Sequence, residues 1–220
     1  MQILQIFDIN TVFVTLWGYQ MSYLEFIGTV FNLWCVWLAA KAKIATWPIG
    51  IVGIVFYIFL FYQIQLYSDL FEQFYFLVMS FYGWWVWTKI GKQKKKDSWG
   101  VTFNTKKGNV ITVTAVVVGT FALYFLTTRL NILFPATFSL PASYPFLDAF
   151  TTVMSFAATI LLAKKIVESW YLWILVDVIG IWLYYVKGVK FISLEYAIFL
   201  IIASYGLFDW LRILKKEKKD

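Results

Sequence analysis

The residues of this 220-residue chain best suited to chemistry are carboxylates, amides and hydroxyls set inside long apolar runs. Asp148, Thr151, Thr152, Ser155 and Thr159 recur at helical spacing and make one polar stripe. Glu25, Gly28, Thr29 and Asn32 form its counterpart earlier in the chain. Asp177 stands in the middle of a run without Lys or Arg, with Trp173 one turn before it and Tyr184 two turns after, and with Trp182 and Tyr185 flanking that face. Glu72, Gln73 and Tyr82 are matched by Glu195, Tyr196 and Tyr205. An ionisable group surrounded by lipid is costly, so it is read first as a functional or helix-packing site. A carboxylate beside several Trp and Tyr suits a cationic or aromatic solute. Ring faces attract cations by about 0.5–2 kcal/mol, and a carboxylate also accepts hydrogen bonds from sugar hydroxyls.

Each feature has a plainer reading. Ser and Thr stripes commonly bond backbone carbonyls or pack helices. Glu72 and Glu195 read as solvated carboxylates at outer helix starts, favoured by the helix dipole. Trp17, Trp34, Trp37, Trp84, Trp85, Trp87, Trp99 and Trp210 read as interfacial belt residues, and Tyr82-Gly83 and Tyr205-Gly206 as close-packing devices. Asp177 resists such a reading because its own run supplies no counter-charge.

What the chain lacks bounds the chemistry further. It has no histidine, one cysteine (Cys35) and no Gly-x-x-x-x-Gly-Lys-Ser/Thr loop. Imidazole relays, histidine triads, cysteine metal clusters, disulfide frameworks and a resident ATPase are therefore not expected, and no cofactor is. An enzyme would have to work with a carboxylate pair such as Asp148 and Asp177, for which the spacing gives no support. A membrane-embedded enzyme or scaffold is the lesser alternative to a carrier.

The elements that position these groups are membrane helices. Hydrophobic residues make up 61% of the chain, aromatics 22% and charged residues only 14%, whereas a soluble domain carries about a quarter charged. A bilayer-spanning helix needs about 20 mostly apolar residues. Seven such runs occur, at 23–40, 47–66, 71–88, 110–128, 146–163, 170–187 and 193–212. If they alternate in direction, 16 of the 19 basic residues fall on one side, leaving Arg129, Lys187 and Lys190 opposite. The positive-inside rule makes that side cytoplasmic, with the start of the first span outside and residue 220 inside. The net charge of +7 belongs to membrane loops, not to a nucleic-acid surface. The first Lys is Lys41, so a cleavable signal peptide is not expected. Residues 1–20, interrupted by Gln5, Asp8, Asn10 and Thr11, are expected to form an interfacial or partly embedded helix.

Sliding the chain by 123 residues, Leu24 onto Leu147, gives an ungapped match with about 18 identities over positions 24–87. Lys41 falls on Lys164, Trp47 on Trp170, Tyr62 on Tyr185, Tyr82-Gly83 on Tyr205-Gly206 and Trp87 on Trp210. The expected fold class is therefore an all-α integral membrane protein of seven transmembrane helices, two parallel three-helix repeats joined by a linker helix. Its parts are an N-terminal segment (1–22), a first repeat (23–88), a basic cytoplasmic loop (89–109), the linker (110–128), an extracytoplasmic loop (129–145), a second repeat (146–212) and a basic tail (213–220). Three is odd, so one extra crossing restores a parallel orientation. Parallel repeats are a transporter architecture with the substrate site near the midplane between the halves.

Trp47-Pro48-Ile49-Gly50, Leu66-Tyr67-Ser68-Asp69, Gln73, Ser80-Phe81-Tyr82-Gly83-Trp84, Asp148-Ala149-Phe150-Thr151-Thr152, Trp170-Tyr171-Leu172-Trp173, Asp177-Val178-Ile179-Gly180, Leu183-Tyr184-Tyr185 and Lys187-Gly188 resemble, in order, the PnuC family of bacterial vitamin transporters. The resemblance covers roughly 22–212. It implies uptake of nicotinamide riboside across the bacterial inner membrane by facilitated diffusion, with cytoplasmic phosphorylation trapping the substrate. It also leaves a homo-oligomer open. Relatives carry thiamine, riboflavin or deoxynucleosides, which makes thiamine, or another vitamin or nucleoside, the alternative substrate. Riboside carriers of the family have Trp-x-x-Trp in the sixth helix, and here that place reads Trp182-Leu183-Tyr184-Tyr185. The resemblance implies that Trp182, Tyr185 and Trp173 flank the nicotinamide. Asp148, Asp177, Gln73 and Asn32 would meet ribose or carboxamide, with Thr151, Ser155 and Trp47 completing the site.

Overall fold

The structure, a computed structural model, describes residues 6–16, 18–64, 67–93, 100–133 and 143–217. An antiparallel hairpin, β1 (Val12–Leu16) and β2 (Tyr19–Ser22), precedes seven helices. These are α1 (Tyr23–Ala40), α2 (Thr46–Gln63), α3 (Tyr67–Gln93), α4 (Lys106–Leu133), α5 (Pro145–Ala163), α6 (Glu168–Val186) and α7 (Lys190–Glu217). Each expected span falls on one helix. Six are long and apolar enough to cross a bilayer. The seventh, α3, has 27 residues and so about 40 Å of length. Along it Tyr75, Tyr82, Trp84, Trp85 and Trp87 stand where the other spans carry more aliphatic residues, and Asp69, Glu72 and Gln73 fall in its first two turns.

The N-terminal interfacial helix does not form at residues 12–22, where the hairpin stands instead. Val12, Val14 and Thr15 are β-branched and stiff at χ1, which favours extended backbone. Gly18, at φ +85°, lets the chain turn so that Leu16 pairs with Tyr19 and Thr15 with Gln20. Ser22 then caps α1. Its hydroxyl accepts from the Glu25 N–H at 3.2 Å, and the Glu25 carboxylate accepts from the Ser22 N–H at 3.1 Å. The Tyr19 hydroxyl donates to the same carboxylate. Partial burial, then the Glu25 hydrogen bond and charge, hold the Tyr19 phenol above its ordinary pKa. Glu25 is thus engaged in ending the hairpin and starting the helix.

The sequence repeat recurs in the backbone. Lys43 N–H donates to Leu38 O at 2.9 Å after α1, and Ile166 N–H donates to Leu161 O at 2.9 Å after α5. Between them Ala42 and Lys165 hold equivalent left-handed positions, φ 50° and 55°. Both corners are helix ends closed by wide backbone hydrogen bonds through a left-handed residue.

The helices fall into two compact units. The first holds the hairpin, α1–α3, the corner Ala163–Lys165 and α7 from Tyr205 onward. Two buried tryptophans organise it. Trp87 donates its indole N–H to Ala163 O at 3.1 Å, and Trp210 donates to Ala39 O at 3.2 Å. The last turns of α1 and α5 are thereby tied at one level to α3 and α7, as alternating spans require. Trp210→Phe removes one such donor, and Ala39 O keeps the bond from the Ala42 N–H at 2.8 Å, so the expected cost is that of one hydrogen bond, about 0.5–1.5 kcal/mol. Melting in detergent checks this, and a wild-type midpoint would show the bond to be immaterial.

Gly83 lies against the Trp47 ring, where an added Cβ would come within 2.3 Å of two ring carbons. Trp47 is buried and edge-on to Trp87, with centroids 5.3 Å apart. The ring has nowhere to retreat. Gly83→Ala is therefore expected to destabilise by about 1–3 kcal/mol through overpacking, read as a lower melting midpoint at unchanged expression.

The second unit holds residues 102–162 and 166–204, that is α4, the body of α5, α6 and the first half of α7. Its core joins Val116, Met154 and Val176, with Phe150, Val153, Trp173 and Tyr196 packed around them.

Candidate functional site

In the second unit α6 carries two different faces. Trp170, Val176, Asp177, Gly180 and Leu183 are buried, whereas Tyr171, Leu175, Val178, Trp182 and Tyr185 are exposed. At roughly 100° per residue Trp182 stands opposite Trp173, Asp177 lies beside Trp173, and Tyr185 falls between Asp177 and Trp182. Trp173 packs into the core cluster. Trp182 is 49% exposed and meets only the edge of the Tyr144 ring among its described ring contacts, with centroids 5.5 Å apart. The expected aromatic set of Trp182, Tyr185 and Trp173 is therefore distributed around α6 and does not converge on one point.

Asp177 is 3% exposed. One turn further, Gly180 leaves room for the Tyr196 ring of α7, which would come within 2.4 Å of an added Cβ. Tyr196 in turn stacks on Tyr184 at 5.2 Å. Ser193 donates to Ile181 O at 2.7 Å, fixing the start of α7 against α6. These contacts set the helix pair and leave Asp177 about one turn below the Gly180–Tyr196 approach.

Glu195 departs from its expected place. The sequence suggests a solvated carboxylate at a helix start, yet Glu195 is five residues into α7 and 4% exposed, while Glu72 is partly exposed. The helix begins at Lys190, earlier than the apolar run, and so carries Glu195 inward. The second unit thus buries two carboxylates on adjoining helices, Asp177 and Glu195. Glu195 is a buried carboxylate that sequence reasoning reads as solvated. Its signal was present in the repeat, which pairs Glu195-Tyr196 with Glu72-Gln73.

The α5 stripe divides by depth. Asp148, in the first turn, pairs with Lys187 at 2.5 Å, both side chains being about a third exposed or less. Lys187 also lies over the Tyr184 ring at 5.5 Å. A pair so wet contributes about 0–1 kcal/mol, so its role is to hold the α6–α7 turn near α5 more than to supply stability. Thr151 donates to Leu147 O at 2.9 Å, and Thr159 donates to Ser155 O at 2.8 Å. Both threonines spend their donors on their own helix, the plainer reading of the stripe. Ser155 is buried on the same side.

In the first unit Asn32 faces α2, its Oδ1 2.6 Å from where a Cβ on Gly53 would stand. Thr29 and Tyr57 hydroxyls meet at 2.9 Å alongside. Gln73 is buried on α3, and the Trp47 indole N–H is buried with no hydrogen-bond partner among the described residues. Among the described residues no group of three or more Cys, Asp or Glu is placed to hold a metal ion.

A family model described as nicotinamide mononucleotide transporter matches residues 22–212. The chain belongs to that family. A nicotinamide riboside transporter PnuC of Escherichia coli (strain K12) is 30% identical over 216 residues, covering 91% of this chain and 90% of that protein. A riboflavin/roseoflavin transporter RibM of Streptomyces davaonensis is 27% identical, covering 92% and 91%. A crystal structure of the vitamin B3 transporter PnuC shares the fold, with TM-score 0.69 at 24% identity over 88% of this chain and 83% of the other. The chain is thus a multi-pass membrane transporter with the seven-helix fold of its nicotinamide mononucleotide transporter relatives. Carriers of two chemically different vitamins align with it along most of their length, so membership leaves the substrate to be argued from the site.

Proposed function

We propose that this protein mediates uptake of nicotinamide riboside across the bacterial inner membrane by facilitated diffusion, with phosphorylation in the cytoplasm trapping the product. The observation that carries the reading is the near full-length similarity to a protein named as a nicotinamide riboside transporter. The chemistry of the second unit agrees with it. Nicotinamide riboside carries a positive pyridinium ring on a ribose. Two buried carboxyl groups, Asp177 and Glu195, can offer a counter-charge to that ring, and a bound cation in the low dielectric favours their ionised form. Trp182 and Tyr185 supply open ring faces on the neighbouring arc of α6. Ser155 and Asp148 are the nearest candidates on α5 for the ribose hydroxyls. Gln73, Asn32 and Trp47 belong to the first unit. The positive-inside bias places the start of α1 outside and residue 220 in the cytoplasm.

A second reading, a riboflavin carrier, is favoured by the RibM relative and by Tyr185 in place of the second Trp. The isoalloxazine ring is neutral, so it draws on the aromatic faces without the carboxylates. Calorimetric titration of the purified protein with nicotinamide riboside, riboflavin and thiamine separates these. Heat with nicotinamide riboside alone supports the proposal. Heat with riboflavin alone replaces it, and heat with thiamine alone keeps the cationic site but moves the substrate.

A further inference from the structure

Four cations of the first unit form a layer that the transport reading does not use. Lys41, Lys89, Lys165 and Arg212 each stand two residues after one of the four residues, Ala39, Trp87, Ala163 and Trp210, that the two indole–carbonyl hydrogen bonds join. They therefore lie at one depth, just beyond the last turn of α1. Each is centred on an aromatic ring. Lys41 lies 5.2 Å from the Trp37 centroid and 4.3 Å from that of Tyr205, whose hydroxyl it also meets. Lys89 lies 5.2 Å from Trp85, Arg212 4.1 Å from Phe208 and Lys165 4.5 Å from Trp87.

The four differ in where the ring faces. Lys165 and Trp87 are buried. Trp37, Trp85 and Phe208 are 43%, 60% and 53% exposed, and each carries its cation from four residues later in the chain. Asp209 lies close enough to act on the Lys41 charge, so the layer keeps a clear excess of positive charge. An exposed ring with a cation held above it needs two neighbours at once, an apolar one for the ring and an anionic one for the cation.

We propose that this rim is a docking surface for the head groups of anionic phospholipids, with Lys41, Lys89 and Arg212 holding lipid phosphate while Trp37, Trp85 and Phe208 sit at the glycerol–acyl boundary. Aromatic rings favour that depth, and basic residues at a membrane surface attract anionic lipid. Prior seating on the rings restricts the long side chains before lipid arrives, which reduces the ordering cost of binding. A soluble phosphate would satisfy the cations and leave the rings exposed, which is why the lipid is the better occupant. The proposal does not rest on the identity of the transported solute.

The test is native mass spectrometry and thermal melting of the detergent-purified protein titrated with phosphatidylglycerol or phosphatidylcholine. Phosphatidylglycerol is expected to be retained and to raise the midpoint, and phosphatidylcholine to do neither. Lys41→Gln/Lys89→Gln/Arg212→Gln should weaken phosphatidylglycerol binding about fivefold per cation, on the order of a hundredfold in all. Lys41→Arg/Lys89→Arg should retain it. Equal retention of the two lipids by the unaltered protein, a comparison that needs no variant, overturns the proposal. So does undiminished phosphatidylglycerol binding in the triple variant, or full competition by inorganic phosphate, which would assign the layer to a soluble anion.

Discussion

Trp182→Ala is expected to weaken nicotinamide riboside binding beyond detection by calorimetry while leaving the protein folded. The two halves of that expectation have separate causes. The fold survives because Trp182 is half exposed and only edges the Tyr144 ring, so truncation opens no cavity in the Val116–Met154–Val176 core. The loss of binding follows from stacking. Removing an aromatic ring from a base-like ligand costs about 1–3 kcal/mol, at the upper end more than a hundredfold in affinity. Tyr185→Ala, on the adjacent exposed arc, should cost less because one ring still stacks. Wild-type affinity in Trp182→Ala would remove this residue from the site and turn attention to the buried face of α6.

The contrast between those faces shows how far the sequence could be read. Spans and their order were legible because lipid imposes one simple requirement, about 20 apolar residues between polar breaks. The basic residues marked the same breaks, and the 123-residue repeat appears again as the matched corners at Ala42 and Lys165. What lipid does not impose was harder to see. Residues 12–22 have enough apolar character for an interfacial helix, but β-branching and the Gly18 turn decide for a hairpin, and a hydropathy reading weighs neither. Glu195 stands at the edge of its apolar run, which suggests solvent, but α7 begins earlier, at Lys190, and carries it inward.

For the candidate site the difficulty is of another kind. In a membrane helix both faces are apolar, one toward protein and one toward lipid, so periodicity does not tell Trp173 from Trp182. Only the neighbouring elements do, such as Tyr196 against Gly180 and the core cluster around Trp173. The Asp148–Lys187 pair was equally hidden. Both residues were visible in the sequence, but their 39-residue separation gave no reason to join them.

Asp177 should show the opposite signature to a structural residue, losing transport without losing stability. A carboxylate 3% exposed within a membrane span is a standing cost to the fold. Replacing a buried ionisable group by an apolar residue of similar size removes the desolvation that the group demands. Asp177→Leu is thus expected to melt at or above the wild-type midpoint, and Asp177→Asn near it. Function should fall in both. Without a negative charge at the site, a pyridinium loses a Coulomb attraction of about 1.5–3 kcal/mol at roughly 6–10 Å and an effective dielectric of about 20, or roughly ten- to a hundredfold in uptake. Because Asp177 and Trp182 lie on different arcs of α6, the carboxylate acts on the ligand through charge more than through shared contact with the indole. That distinction is measurable with two ligands. Asp177→Asn should impair binding of cationic nicotinamide riboside and leave any binding of neutral riboflavin unchanged, whereas Trp182→Ala should impair both. A lower melting midpoint with uptake intact would assign Asp177 to helix packing and shift the search for the counter-charge to Glu195, the other carboxylate buried in the same unit.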